Sequence, residues 1–129
     1  MPALTLLHMS LFRNLKAWKH AKELAVECSK AARDFPECEQ RALAEQLRRA
    51  CYSVPINIAE ASTRRGTRLY RQCLDTACVS LSELETILEM ARDLEYIELT
   101  SFARLEARTI ETSKTLYGLR RKASASSAK

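Results

Sequence analysis

Gln46-Leu47-Arg48-Arg49-Ala50-Cys51-Tyr52-Ser53-Val54-Pro55-Ile56-Asn57-Ile58-Ala59-Glu60-Ala61, closing on Arg64-Arg65-Gly66, is the stretch that decides the fold. Its apolar residues Leu47, Ala50, Val54, Ile58 and Ala61 recur at spacings of three and four, which is one face of a helix. Pro55 stands in the middle. Proline offers no N–H to the carbonyl of Cys51 and its ring crowds that carbonyl, at a cost of roughly 3 kcal/mol or a kink. The stripe keeps its phase on both sides of Pro55, so the spacing predicts one bent helix rather than two. At about 100° per residue, Tyr52, Ile56 and Ala59 fall on the far side, beside Arg49 and Glu60. An apolar strip there reads as a protein contact; scattered surface apolar residues are the alternative.

Working outward, the whole chain carries the same signature. Its 129 residues fit one domain, long enough to bury a core without disulfides or metal. With two glycines and three prolines it lacks the turn residues that hairpins need. Leu, Ala, Glu and Arg dominate, and these are strong helix formers. The expected fold is all-α.

The first helix is predicted from Asn14, a suitable N-cap, to Arg33, with Leu15, Trp18, Ala25, Cys28 and Ala32 as its stripe. Asp34-Phe35-Pro36 ends it. The second helix is predicted from Glu37 to Ser62, with Pro36 at its opening. Arg64-Arg65-Gly66 breaks it, and Gly66 suits a left-handed cap. The third is predicted from Thr67, as its cap, to Leu94, with Tyr70, Leu74, Ala77, Cys78, Leu81, Leu84, Leu88 and Ala91 inward. Glu85 and Glu89 flank that stripe. A carboxylate at a core edge needs a partner, and Arg48 is the candidate. Val79 and Met90 lie on the back of the third helix, a second hint of a contact surface. The fourth is predicted from Thr100 to Gly118 or Arg120-Arg121-Lys122, lined by Phe102, Leu105, Thr109, Ser113, Leu116 and Leu119. Basic residues at its end complement the helix C-terminus. Short connections favour an antiparallel up-down four-helix bundle over residues 12–120. Residues 1–11 read as a flexible arm and 121–129 as a disordered tail.

No apolar run approaches the roughly 18 to 20 residues of a membrane span. The segment Met1–Met9 lacks a basic start and is too short in apolar residues for a signal peptide. Cys28, Cys38, Cys51, Cys73 and Cys78 are odd in number and form no Cys-x-x-Cys pair, which fits a reducing cytoplasm and no metal site.

No chemistry-bearing constellation is found. There is no Gly-rich phosphate loop and no Gly-x-Ser-x-Gly elbow. His20 is the one histidine outside the arm, and it has no base-and-orienter arrangement around it. Neither an enzyme nor a cofactor is expected. Charge is the remaining signal. The net +5 divides into +3 over residues 1–35, +1 over 36–66, −4 over 67–99 and +5 over 100–129. Lys16, Lys19 and Lys22, then Arg48 and Arg49, then Arg64, Arg65, Arg68 and Arg71 are the basic clusters. Such clusters suit phosphate, or simply a solvated face. Pro55, Asn57, Glu60 and Glu85 are read as structural.

Leu47-Arg48-Arg49-Ala50, then Ser53-Val54-Pro55-Ile56-Asn57-Ile58-Ala59-Glu60 and Arg64-Arg65, resemble the signature of the bacterial four-helix-bundle proteins, also called ribosomal-RNA intervening-sequence proteins. Phe12-Arg13-Asn14-Leu15-Lys16-Ala17-Trp18-Lys19 resembles that family's opening, and Ser80-Leu81-Ser82-Glu83-Leu84-Glu85-Thr86 its third-helix motif. The resemblance spans residues 12–118. It implies a homopentamer, and distant kinship with the accessory variability protein of diversity-generating retroelements, a basic pentamer that binds nucleic acid and a reverse transcriptase. It implies no catalytic residues. On this basis Tyr52, Ile56, Val79 and Met90 become candidates for subunit contacts, and RNA, DNA or a nucleic-acid-processing protein become candidate partners. One departure is Ala61, where the family usually has Gly; the helix is then expected to run further before Arg64-Arg65. Two readings stand: an oligomer whose basic surface binds nucleic acid, and an oligomeric scaffold or adaptor acting through protein contacts.

Overall fold

Alanine sets the packing face of the first helix. The computed structural model describes residues 12, 13 and 15–127; the arm over residues 1–11 and the Asn14 cap lie outside them. α1 spans Lys16–Arg33 and buries Ala17, Ala21, Leu24, Ala25, Cys28 and Ala32. Such small side chains leave room for a neighbouring helix to come close. α2 spans Leu43–Ser62, α3 Arg68–Asp93 and α4 Leu99–Ser127. The described residues contain no strand, so the fold is all-α. Each helix packs on two others, in the ring α1–α2–α3–α4–α1, and no backbones approach closely across the diagonals among the described residues. Trp18 packs at the core edge rather than within it, and Phe12 meets its ring edge-on at 4.9 Å.

The deciding stretch folds as one helix that continues through Pro55. Leu47, Val54 and Ile58 are wholly buried, with Ala50 and Ala61 nearly so. Pro55 cannot bond the Cys51 carbonyl, and polar side chains gather beside it. Asn57 Nδ2 donates to the Ser53 carbonyl at 2.8 Å and to Ser53 Oγ at 3.0 Å. Ser80 Oγ on α3 donates to the same Ser53 Oγ at 2.7 Å, which ties α2 to α3 at this level.

The start of α2 corrects the sequence expectation. Glu37–Glu39 is a short 3-10 turn, and the α-helix begins only at Leu43. Ala42, at φ −123° and ψ −101°, is outside the helical region. Gln40 explains the break. Its Nε2 donates to the carbonyls of Ala32 at 2.9 Å and Phe35 at 2.9 Å, tying the connector back to the end of α1. Arg48 holds Gln40 there, donating to its Oε1 at 2.5 Å and to its carbonyl at 3.3 Å. Arg48 is therefore the clasp of the α1–α2 connector and not the partner of Glu85 or Glu89.

Gly66 takes φ +81°, the left-handed conformation expected of it. Thr67 stands at the α3 N-cap but makes no capping bond; its Oγ1 donates back to the Arg64 carbonyl at 2.6 Å. The extension implied by Ala61 amounts to one residue, since α2 ends at Ser62. α4 starts at Leu99 rather than Thr100, and it continues past Gly118 and 120–122 to Ser127. A helical glycine costs only about 1 kcal/mol, so Gly118 does not stop it. The carbonyl ends that Arg120, Arg121 and Lys122 were expected to complement thus lie further on.

Ion pairs also link α4 to α1: Arg108 pairs with Glu23 at 2.8 Å and with Glu27. Thr109 and Thr112 are buried and donate back to the carbonyls of Leu105 at 2.7 Å and Arg108 at 2.8 Å. At the far end from Gly66, Tyr96 packs its ring on Phe35 at 5.5 Å and donates its hydroxyl to Glu39 at 2.8 Å. That bond to Glu39 pushes the Tyr96 phenol up from its usual range. Cys28, Cys51 and Cys78 are buried free thiols; burial pushes Cys51 up to about 12, leaving it an inert small hydrophobe.

Glu95, two residues past the end of α3, takes φ 64° and is the one non-glycine in the left-handed region among the described residues. Glu95→Gly removes that strain at the expense of a freer unfolded chain. The expected outcome in chemical denaturation is a gain of about 0.5–1 kcal/mol.

Candidate nucleic-acid interface

Three segments converge at the Gly66 end of the molecule: the start of α1, the α2–α3 connector with the first turns of α3, and the last turns of α4. Together they line a cavity of about 900 Å³ that includes Arg65, Arg68, Arg71, Tyr70 and Lys122. Asp75 is the one carboxylate in its lining, and it is already engaged, accepting a 2.7 Å bond from Arg120 Nε. The same bond holds the Arg120 guanidinium further up than usual. The remaining cations meet no counter-charge: Arg65, Arg68, Arg71 and Lys122 are exposed, and none forms an ion pair among the described residues.

Their position runs against local stability. The N-terminus of a helix carries a positive partial charge and favours carboxylates. The first turn of α3 contains no acidic residue but does contain Arg68 and Arg71. With Thr67 turned away, its first N–H groups have no side-chain cap. Open N–H groups, the helix dipole and three arginines all favour an anion at this place. Tyr70, half-buried against the core, adds its side chain to the lining.

The predicted basic residues divide accordingly. Arg65, Arg68 and Arg71 come together in the cavity wall. Arg64 is exposed on the same connector but outside the lining. Lys16 and Lys19 are exposed on the first turn of α1, and neighbouring Leu15 lines the cavity. Lys22 lies over the Trp18 ring, with Nζ 5.2 Å from the ring centre. Arg49 is exposed on the outer side of α2. Arg48 is removed from the set by its bonds to Gln40. Lys122 lies outside the predicted set, while Tyr70, expected inward on the third helix, is half-buried against the core and also lines the cavity. The run Arg120-Arg121-Lys122 is plain in the sequence, but it was explained by a helix end that the longer α4 moves away.

Among the residues read as contacts, Ile56 and Val79 are each 60% exposed, Met90 45% and Tyr52 41%. Tyr52 shares a 2.7 Å hydrogen bond with Ser29 of α1, so it also braces the bundle. Leu99, 74% exposed, is a further large apolar surface residue. Of the structural set, Pro55 is carried inside α2, and Asn57 bonds Ser53, which in turn meets Ser80 of α3. Glu60 is exposed and forms no side-chain bond among the described residues. Glu85 stands at the α3–α4 boundary, where partial burial and then Glu89 push its carboxyl up from the usual range.

Among the described residues no helix is long and apolar enough to cross a membrane, and no group of three or more His, Cys, Asp or Glu side chains is placed to hold a metal ion. No curated protein sequence matches the chain significantly. The family model described as 23S rRNA-intervening sequence protein matches residues 13–118, a span that takes in all of α1, α2 and α3, most of α4, and the connector bearing Arg64, Arg65 and Gly66. The chain therefore belongs to the 23S rRNA-intervening sequence protein family.

Proposed function

We propose that this protein is a non-enzymatic homo-oligomer that binds RNA, or another nucleic acid, at its Gly66 end. The observation that carries the reading is the cavity with Arg65, Arg68, Arg71 and Lys122 in its wall and its one carboxylate, Asp75, already taken by Arg120. A cluster of cations with no structural partner and an unfavourable relation to the helix dipole is explained by an external polyanion. The cavity of about 900 Å³ has room for a nucleotide unit and not only a single phosphate. The family description names 23S rRNA but states no ligand and no reaction.

Anisotropy titration of labelled structured RNA and duplex DNA tests this. Binding tighter than about 100 μM at low salt is expected, because even non-specific binders reach that affinity. No binding at that concentration overturns the reading. A preference for RNA over duplex DNA narrows the partner.

The exposed apolar residues favour assembly. Ile56 is directed outward from the middle of α2 at 60% exposure, so a charge there leaves the folded protomer intact. Ile56→Asp is expected to lower the mass seen by sedimentation while helical content stays unchanged. An unchanged mass would place the subunit contact elsewhere. If nucleic acid does not bind, the adaptor reading with protein contacts on these same residues takes its place.

A further inference from the structure

A second cavity, of about 320 Å³, lies between α3 and α4 and has the opposite character. Ile110 supplies its exposed apolar surface over a floor of buried Leu88 and Phe102, and Glu85, Glu89 and Glu106 its acid groups. Ile110 is 49% exposed, so the apolar surface reaches solvent. None of the three glutamates forms an ion pair or side-chain hydrogen bond among the described residues. Lys114, the one cation in the lining, leans at 3.9 Å toward Glu111, outside the groove. Phe102 is covered on one side by the Arg92 guanidinium, 4.7 Å from the ring centre, and this marks one end of the groove.

We propose that the α3–α4 groove docks a cationic amphipathic segment of a partner protein. An apolar side chain of the partner packs against Ile110, and its Lys or Arg heads meet Glu85, Glu89 and Glu106. Charge complementarity selects this occupant. Three unpaired carboxylates repel nucleic acid and repel one another, and a cationic partner relieves both. Glu85 and Glu89 are one helical turn apart, about 6 Å, which matches Lys or Arg heads one turn apart on a docked helix. The groove is separate from the Arg65–Arg71 cavity, so the proposal does not depend on nucleic-acid binding.

The test is anisotropy of a short labelled helical peptide of Leu, Lys and Ala against the full chain, with a Leu, Glu and Ala peptide as control. Saturable binding of the Lys peptide and none of the Glu peptide is expected. The triple variant Glu85→Gln, Glu89→Gln, Glu106→Gln is expected to weaken it about 10-fold or more, and Ile110→Ser independently by several-fold. These positions are exposed, so the variants keep their helical content. The proposal is overturned if the Lys peptide fails to bind at about 1 mM, or if the glutamine variant binds it like wild type. It is equally overturned if that variant sediments at lower mass than wild type, since a second copy then fills the groove.

Discussion

Replacing Arg65, Arg68 and Arg71 together by Ala is expected to lower affinity for structured RNA by about 100- to 1,000-fold at low salt. Each arginine that neutralises a phosphate releases condensed counterions, and losing three contacts should flatten the log–log salt dependence by about 2 to 3 units. The same variant should melt within a few degrees of wild type. These side chains are exposed and form no ion pair among the described residues. Two of them sit in the first turn of α3, where a cation opposes the helix dipole. Lost binding with retained melting is the signature of a ligand site. Retained binding would move the interface to Lys16, Lys19 and Arg49, which are exposed and outside the cavity lining. Arg48→Ala should behave in the reverse way. It loosens the α1–α2 connector by releasing Gln40 and leaves RNA affinity alone.

Leu47→Ala carries the largest expected effect on stability. Leu47 is wholly buried in the stripe that organises the core. Truncation loses the transfer free energy of the removed methyl groups and leaves a cavity, together about 2–5 kcal/mol. Against a total of about 5–15 kcal/mol for a domain, that is a large share, and the melting temperature should drop by about 8–15 °C. Ile56→Ala, four-tenths buried at most on the same helix, should cost far less in a dissociated protomer. A comparable loss for Ile56→Ala that grows with protein concentration would show it buried against another subunit.

The periodic part of the fold was legible because one physical rule generates it. Leu47, Ala50, Val54, Ile58 and Ala61 had to share a face, and all are buried; the same holds for Leu74, Leu81 and Leu88 on α3. Gly66 was legible because a left-handed turn selects glycine. Glu95 was not, since it takes the same conformation without that signal. The start of α2 was hidden because a long-range bond decides it: Gln40 reaches back to Ala32 and Phe35 while Arg48 reaches forward to Gln40. Local propensity carries no trace of such a clasp.

The basic site was legible in part for a similar reason. Arg65, Arg68 and Arg71 are close in sequence and form one patch whatever the rest of the chain does. Lys122 joins them only because α4 continues past Gly118 and returns alongside α3, where Arg120 meets Asp75. The acid groove was half visible. Glu85 and Glu89 were recognised as carboxylates at a core edge, but their nearest chemistry comes from Phe102, Glu106 and Ile110 on α4, and that register is set by packing.

The most direct measurement is the salt dependence of RNA affinity for the wild-type chain. Contact through Arg65, Arg68, Arg71 and Lys122 predicts that log K falls against log salt with a slope of about −3, at roughly 0.7 to 0.9 per phosphate neutralised. A slope near zero would mean that these cations do not meet phosphate, and would contradict nucleic-acid binding at the Gly66 end.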